Sequence, residues 1–101
     1  MQHEVDLNAA FAYYNDEHWD GSLPTVPVTR ENLVGSGAQG EFWPDSRRIV
    51  VCSSLDVEAA LGTLVHEMIH LYQSSRGLVV DHGKEYKKWQ KLLHTSTGLD
   101  I

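Results

Sequence analysis

The chain has 101 residues, 42% hydrophobic and 22% charged, with a formal net charge of −6 at pH 7. That length suits one domain (1–101) with one modest core, and no apolar run approaches the roughly 20 residues of a membrane span. So acidic a chain is a poor binder of duplex DNA by charge alone, and the single cysteine, Cys52, excludes both an internal disulfide and a Cys-rich structural zinc site.

The opening Met1-Gln2-His3-Glu4-Val5-Asp6 is acidic and has no hydrophobic signal region, so an intracellular protein is expected. A helix follows from about Val5 to Trp19, with Leu7, Ala10, Phe11, Tyr14 and His18 at helical spacing; Gly21 and Pro24 end it. Three short strands come next, about Val26 to Glu31, Ala38 to Trp43 and Arg48 to Ser53. Val26 and Val28 alternate with polar neighbours, and Ile49-Val50-Val51-Cys52 is rich in β-branched residues. Gly35-Ser36-Gly37 and Pro44-Asp45-Ser46 supply the turns.

Ser53 or Ser54 is the expected cap of a second helix, with Asp56 and Glu58 in its first turn, where negative charge suits the helix dipole. Val57, Leu61, Leu64, Val65, Met68, Ile69 and Tyr72 form its apolar stripe, the face to be buried. Gly77 is the expected left-handed cap. A loop from Leu78 to His82 leads to a last helix from about Gly83 to Thr95, with Tyr86, Trp89, Leu92 and Leu93 on its inner side. The expected fold class is α+β: an N-terminal helix, a small three-stranded sheet, and two further helices.

The chemistry is concentrated in His66-Glu67-Met68-Ile69-His70. Histidines at i and i+4 on a helix point the same way, one turn apart, and can grip one tetrahedral Zn²⁺. Glu67 projects beside them, where it can act as general base on a zinc-activated water attacking a carbonyl, then pass the proton to the leaving amine. A pair of helical histidines is often only surface decoration. Here the motif lies beside the buried stripe of a strongly amphipathic helix, the context that metal ligation demands. A catalytic zinc needs a third protein ligand and one open position. The class with a third His after a glycine fails, because Gln73 stands where Gly is needed and Arg76 where His is needed. Glu85, on the last helix, is one candidate. His82 is favoured, since it follows the Gly77 turn and a return loop of that length can bring it back beneath the zinc helix; the plain alternative is a capping or surface histidine.

Thr63-Leu64-Val65-His66-Glu67-Met68-Ile69-His70, followed by Asp81-His82-Gly83-Lys84-Glu85-Tyr86, resembles the SprT-like zinc metalloprotease domain of the Spartan-type family. Tyr14-Asn15-Asp16-Glu17-His18-Trp19-Asp20-Gly21-Ser22-Leu23-Pro24 is similar to that family's first helix and turn. Ile49-Val50-Val51-Cys52-Ser53 is similar to its strand before the zinc helix, and Thr97-Gly98-Leu99-Asp100-Ile101 to its end. The resemblance implies a zincin-like metalloprotease fold, Zn²⁺ as cofactor, His66, His70 and His82 as its ligands and Glu67 as the general base. Members of known activity cleave proteins crosslinked to DNA. The chain ends where the best-known members continue into a Cys-rich or DNA-binding region, so autonomous DNA targeting is not expected.

Lys84, Lys87, Lys88 and Lys91 form one basic stripe on the last helix. It fits a weak contact with nucleic-acid backbone or an acidic substrate, although a solvated helix face is the plainer reading. Trp19, Trp43 and Trp89 are expected in the core rather than stacked on bases, and Cys52 is expected to be a buried thiol. Tyr72, Arg76, Tyr86 and His94 all lie within sequence range of a role as second electrophile, and nothing in the sequence selects among them. The Ala38 to Trp43 strand is the candidate edge for an added substrate strand. The expected function is thus a monomeric zinc metallopeptidase acting on protein or peptide, with DNA-associated proteins in view and no membrane partner. The alternative is a catalytically weak zinc-binding module in a nucleic-acid-associated complex, and the retained Glu67 favours catalysis.

Overall fold

A computed structural model describes residues 5–101, so the first four residues of the acidic opening segment lie outside the described residues. The architecture is α+β: α1 (Leu7–Trp19), β1 (Val28–Glu31), β2 (Gly40–Trp43), β3 (Arg48–Cys52), α2 (Val57–Ser75) and α3 (Lys84–Thr97). A 3-10 turn, Val34–Ser36, occupies the glycine-rich connection between β1 and β2. No helix among the described residues is long and apolar enough to cross a membrane.

The sheet order is β1-β3-β2, with β3 parallel to β1 and antiparallel to β2. Central β3 is buried on both faces, which is why Ile49, Val50, Val51 and Cys52 read as a continuous apolar run rather than an alternating one. The flank of β1 is held by α1: Asn8 accepts from the Val28 amide at 2.9 Å and donates to its carbonyl at 3.0 Å. Buried Asn15 does the same for Leu23, pinning the turn that returns the chain to the sheet.

α2 crosses beneath the sheet. Leu64, Val65, Met68 and Ile69 are fully buried and join Leu7, Phe11, Ile49 and Leu93 in one core. An aromatic cluster ties the three helices together, with Trp19 stacked on Trp89 at 5.0 Å and Trp89 tilted against Tyr72 at 5.0 Å. The cap of α2 is Asp56, which accepts from the Ala59 amide at 2.8 Å, rather than Ser53 or Ser54. Arg30 explains the shift: its guanidinium donates to the carbonyls of Cys52, Ser53 and Leu55, fixing those residues as a loop that delivers Asp56 to the helix start.

Three residues expected inside lie outside. Val57 is the first residue of α2, beyond the sheet's reach; Leu92 falls on the flank of α3, whose buried residues are Tyr86 and Leu93; Trp43, at the end of edge strand β2, covers the Arg48 guanidinium at 4.5 Å instead of entering the core. α3 also runs two residues past Thr95, to Thr97, before Gly98 closes it in the left-handed conformation.

Candidate metal centre

α2 presents His66 and His70 one turn apart, and the loop after Gly77 returns His82 to meet them. One ring nitrogen from each of His66, His70 and His82 lies within 4.8 Å of the others. Nε2 of His70 and Nε2 of His82 are 3.2 Å apart. Nitrogens about 2.05 Å from a tetrahedral zinc are about 3.3 Å from one another, so this spacing fits one zinc edge. Glu85 is outside the cluster.

The remaining nitrogens are held from behind. Nδ1 of His70 is 2.9 Å from Oε1 of Gln73, and the Gln73 amide donates to the Asp81 carbonyl at 3.1 Å. That second bond fixes which end of the amide faces the imidazole. Gln73 therefore accepts from Nδ1–H of His70, leaving a lone pair on Nε2 for a metal. Gln73 is fully buried, and it joins α2 to the loop that carries His82. Nδ1 of His66 is 2.6 Å from the Tyr86 hydroxyl, and the Tyr86 ring stacks on His70 at 5.3 Å. Burial, then the nearby Glu67 charge, pushes the Tyr86 hydroxyl up to about 12, so it stays a neutral partner. Neither residue's supporting role was visible in the sequence. Gln73 counted there only against another ligand pattern, yet its polarity on a buried face three residues after His70 was the available signal. Of the four candidate electrophiles, Tyr86 is the one hydrogen-bonded to a histidine of the cluster.

Burial pushes His66 down to about 4, helped by the charges of His70 and His82, and burial also lowers His70. Neutral imidazoles are the form that binds a cation. The donor set thus fits zinc in number, atom type and spacing, and burial favours the binding form of His66 and His70.

Glu67 is 6% exposed, with a carboxylate oxygen 3.9 Å from Nε2 of His66. Burial, then the charge of Glu41, pushes it up to about 7. β2 comes close enough to cover it because residue 40 is glycine: a Cβ there would sit 2.4 Å from Cγ2 of Thr63 and 3.3 Å from Oε2 of Glu67. Beside the carboxylate opens a cleft of about 190 Å³ bordered by Gln39, Gly40, Gly62, Thr63 and His66. Lys84, Lys87, Lys88 and Lys91 are exposed on α3, and Cys52 is buried away from the histidines in β3.

The chain matches the model of the SprT-like family over residues 7–101. A comparison with curated proteins gives no match.

Proposed function

The chain belongs to the SprT-like family, and from that premise we propose that it is a zinc-dependent metallopeptidase, with DNA-associated or DNA-crosslinked proteins as its substrate class. The observation that carries this reading is the convergence of three histidine nitrogens beside a buried, unneutralised carboxylate that opens on a cleft. His66, His70 and His82 would hold the zinc. When bound, zinc supplies Lewis acidity, polarising a substrate carbonyl and easing deprotonation of water. The protein's own groups do the rest. Glu67 accepts the proton from the attacking water and returns it to the departing amine, a role that its burial favours by raising its affinity for a proton. Gln73 holds His70 in one tautomer and orientation, and Tyr86 orients His66.

Catalysis, rather than metal-dependent binding alone, is supported by Glu67 itself. A structural site has no use for a carboxylate buried at the mouth of a cleft, and leaving one there costs stability. The exposed lysines of α3 would add at most a weak, salt-sensitive phosphate contact. The test is to incubate purified protein with an unfolded protein and with a DNA-bound protein, with and without chelator. Cleavage that chelator stops and added zinc restores is expected. Glu67→Gln should keep zinc and fold while losing at least about 100-fold in rate, the lower range for general-base catalysis. A zinc-loaded protein that cuts neither substrate would overturn the reading.

A further inference from the structure

Thr63, Glu67, His70 and Ser74 follow one another at i, i+4, i+7 and i+11, and so share one face of α2. β2 lies along that face, with Gly40 against Thr63 and Glu67. One turn past His70 the face opens into a cavity of about 440 Å³, bordered by Ser22, Phe42, Arg47, Leu71, Ser74 and Arg76. Apolar residues (Pro24, Phe42, Pro44 and Leu71), three serines and two arginines thus share its border.

Those two cations are unspent. The chain has 14 acidic residues against 8 Lys and Arg, yet neither Arg47 nor Arg76 forms an ion pair among the described residues. Arg30 and Arg48, by contrast, are committed to three carbonyls and to Glu31. Arg76 is not needed at the helix end, because the amides of Arg76, Gly77 and Leu78 already take the carbonyls of Tyr72, Gln73 and Ser74. Its guanidinium lies 5.4 Å over the Tyr72 ring, which orients the plane while its N–H edges can still donate. Arg47 is one of two non-glycine residues with positive φ (50°) among the described residues, a turn conformation at the end of the β2–β3 hairpin.

We propose that this cavity is a subsite for an acidic side chain of the substrate; the assignment rests on the peptidase reading above. β2 is an edge strand, so its outer backbone groups are free to pair with an extended chain. From Glu67 to Ser74 the helix rises about 10 Å at 1.5 Å per residue. An extended chain covers that span in about three residues. The acidic residue therefore sits about three positions from the bond that is cut. A carboxylate that either guanidinium group reaches makes charge-assisted, fork-shaped hydrogen bonds. A nucleic-acid backbone fits less well: it needs a row of cations along its length, and the net charge repels a polyanion.

The experiment compares peptides identical except for Asp, Asn or Lys at the third position on either side of the cut bond. The protein should prefer one Asp peptide over its Asn counterpart by about tenfold in kcat/KM, expressed in KM, as binding to a partly solvated charge pair implies. Arg47→Asn combined with Arg76→Gln should abolish that difference; asparagine tolerates the left-handed turn. Arg76→Glu should turn the preference towards Lys. The same peptides are titrated against Glu67→Gln protein, where binding is read without cleavage. If nothing is cut but the Asp preference persists in binding and is lost in the double variant, the subsite stands and the peptidase reading falls. If peptides are cut with no Asp preference, or with one that the double variant keeps, the subsite is wrong. Single-stranded oligonucleotide binding that needs both arginines, without any peptide preference, would likewise overturn it.

Discussion

Replacing Gln73 by leucine should weaken zinc binding about 10–100-fold without touching a ligand, the usual effect of losing a metal ligand's supporting partner. The magnitude follows from two bonds. Gln73 is fully buried; it accepts from His70 at 2.9 Å and donates to the Asp81 carbonyl at 3.1 Å. Leucine fills the space but leaves both partners unsatisfied, each at a cost of about 1–3 kcal/mol. Part of that cost destabilises the metal-free fold. The part that frees the His70 ring and loosens the His82 loop falls on the metal, and about 1.4 kcal/mol of it is tenfold in affinity. Gln73→Glu separates the two, since it still accepts from His70 but cannot donate to Asp81, and its affinity should fall between wild type and Gln73→Leu. Competition with a chelating dye reads the zinc affinity, and urea unfolding of metal-free protein reads the fold. A Gln73→Leu protein that binds zinc as tightly as wild type would refute the reasoning, whatever its stability.

His82→Ala should lose tight zinc binding, as should His66→Ala and His70→Ala, whereas Glu85→Ala should leave it nearly intact; metal content after gel filtration decides. A second expectation concerns pH in the metal-free protein. Glu67 titrates near 7 when folded against a reference of 4.5, so the native state holds the extra proton between those values, and its stability falls as pH rises through that window. At about 1.4 kcal/mol per unit the full cost is on the order of 3 kcal/mol. Urea unfolding should therefore find metal-free Glu67→Gln no more stable than wild type at pH 4.5 and clearly more stable at pH 7.5; a gap independent of pH would contradict the assignment. Finally, any single-stranded DNA binding should be feeble and vanish near physiological salt, and Lys87→Glu with Lys88→Glu should remove it; binding that survives both would show the α3 stripe to be only a solvated face.

The elements were legible because their periodicities are strong. The stripe of α2 puts Leu64, Val65, Met68 and Ile69 at full burial, and the β-branched run of β3 marks the central strand. What periodicity cannot give is the length of the neighbour that covers a face. Val57 and Leu92 carry the right residue type in the right element, but no partner reaches them. Strand order was equally hidden: the parallel pairing of β1 with β3 depends on the β1–β2 connection passing over the place that β3 fills, which no local pattern encodes. The ligand helix announced itself because two histidines and a glutamate at fixed helical offsets are a local pattern. His82 could only be weighed against Glu85, since its approach depends on the Gly77 turn and on the Gln73–Asp81 bond. Gln73 and Tyr86 were missed as supports for the same reason, because their partners lie in other elements or across a turn.

One feature of the centre is costly on its own terms. A buried carboxylate whose nearest influential charge is another carboxylate, Glu41, is destabilising in isolation. Two neighbouring imidazoles whose basicity is suppressed offer it no positive charge at neutral pH. A fold that keeps Glu67 6% exposed in such surroundings is relieved by a cation held on the three histidine nitrogens, because a nearby positive charge favours the ionised carboxylate. The same cation needs its imidazoles neutral, which burial favours at His66 and His70. On the proposed function, metal and base would support each other: a cation on the histidines would relieve the carboxylate whose burial is costly without one. On this argument Glu67→Gln should stabilise the metal-free protein at neutral pH more than it stabilises the zinc-loaded protein.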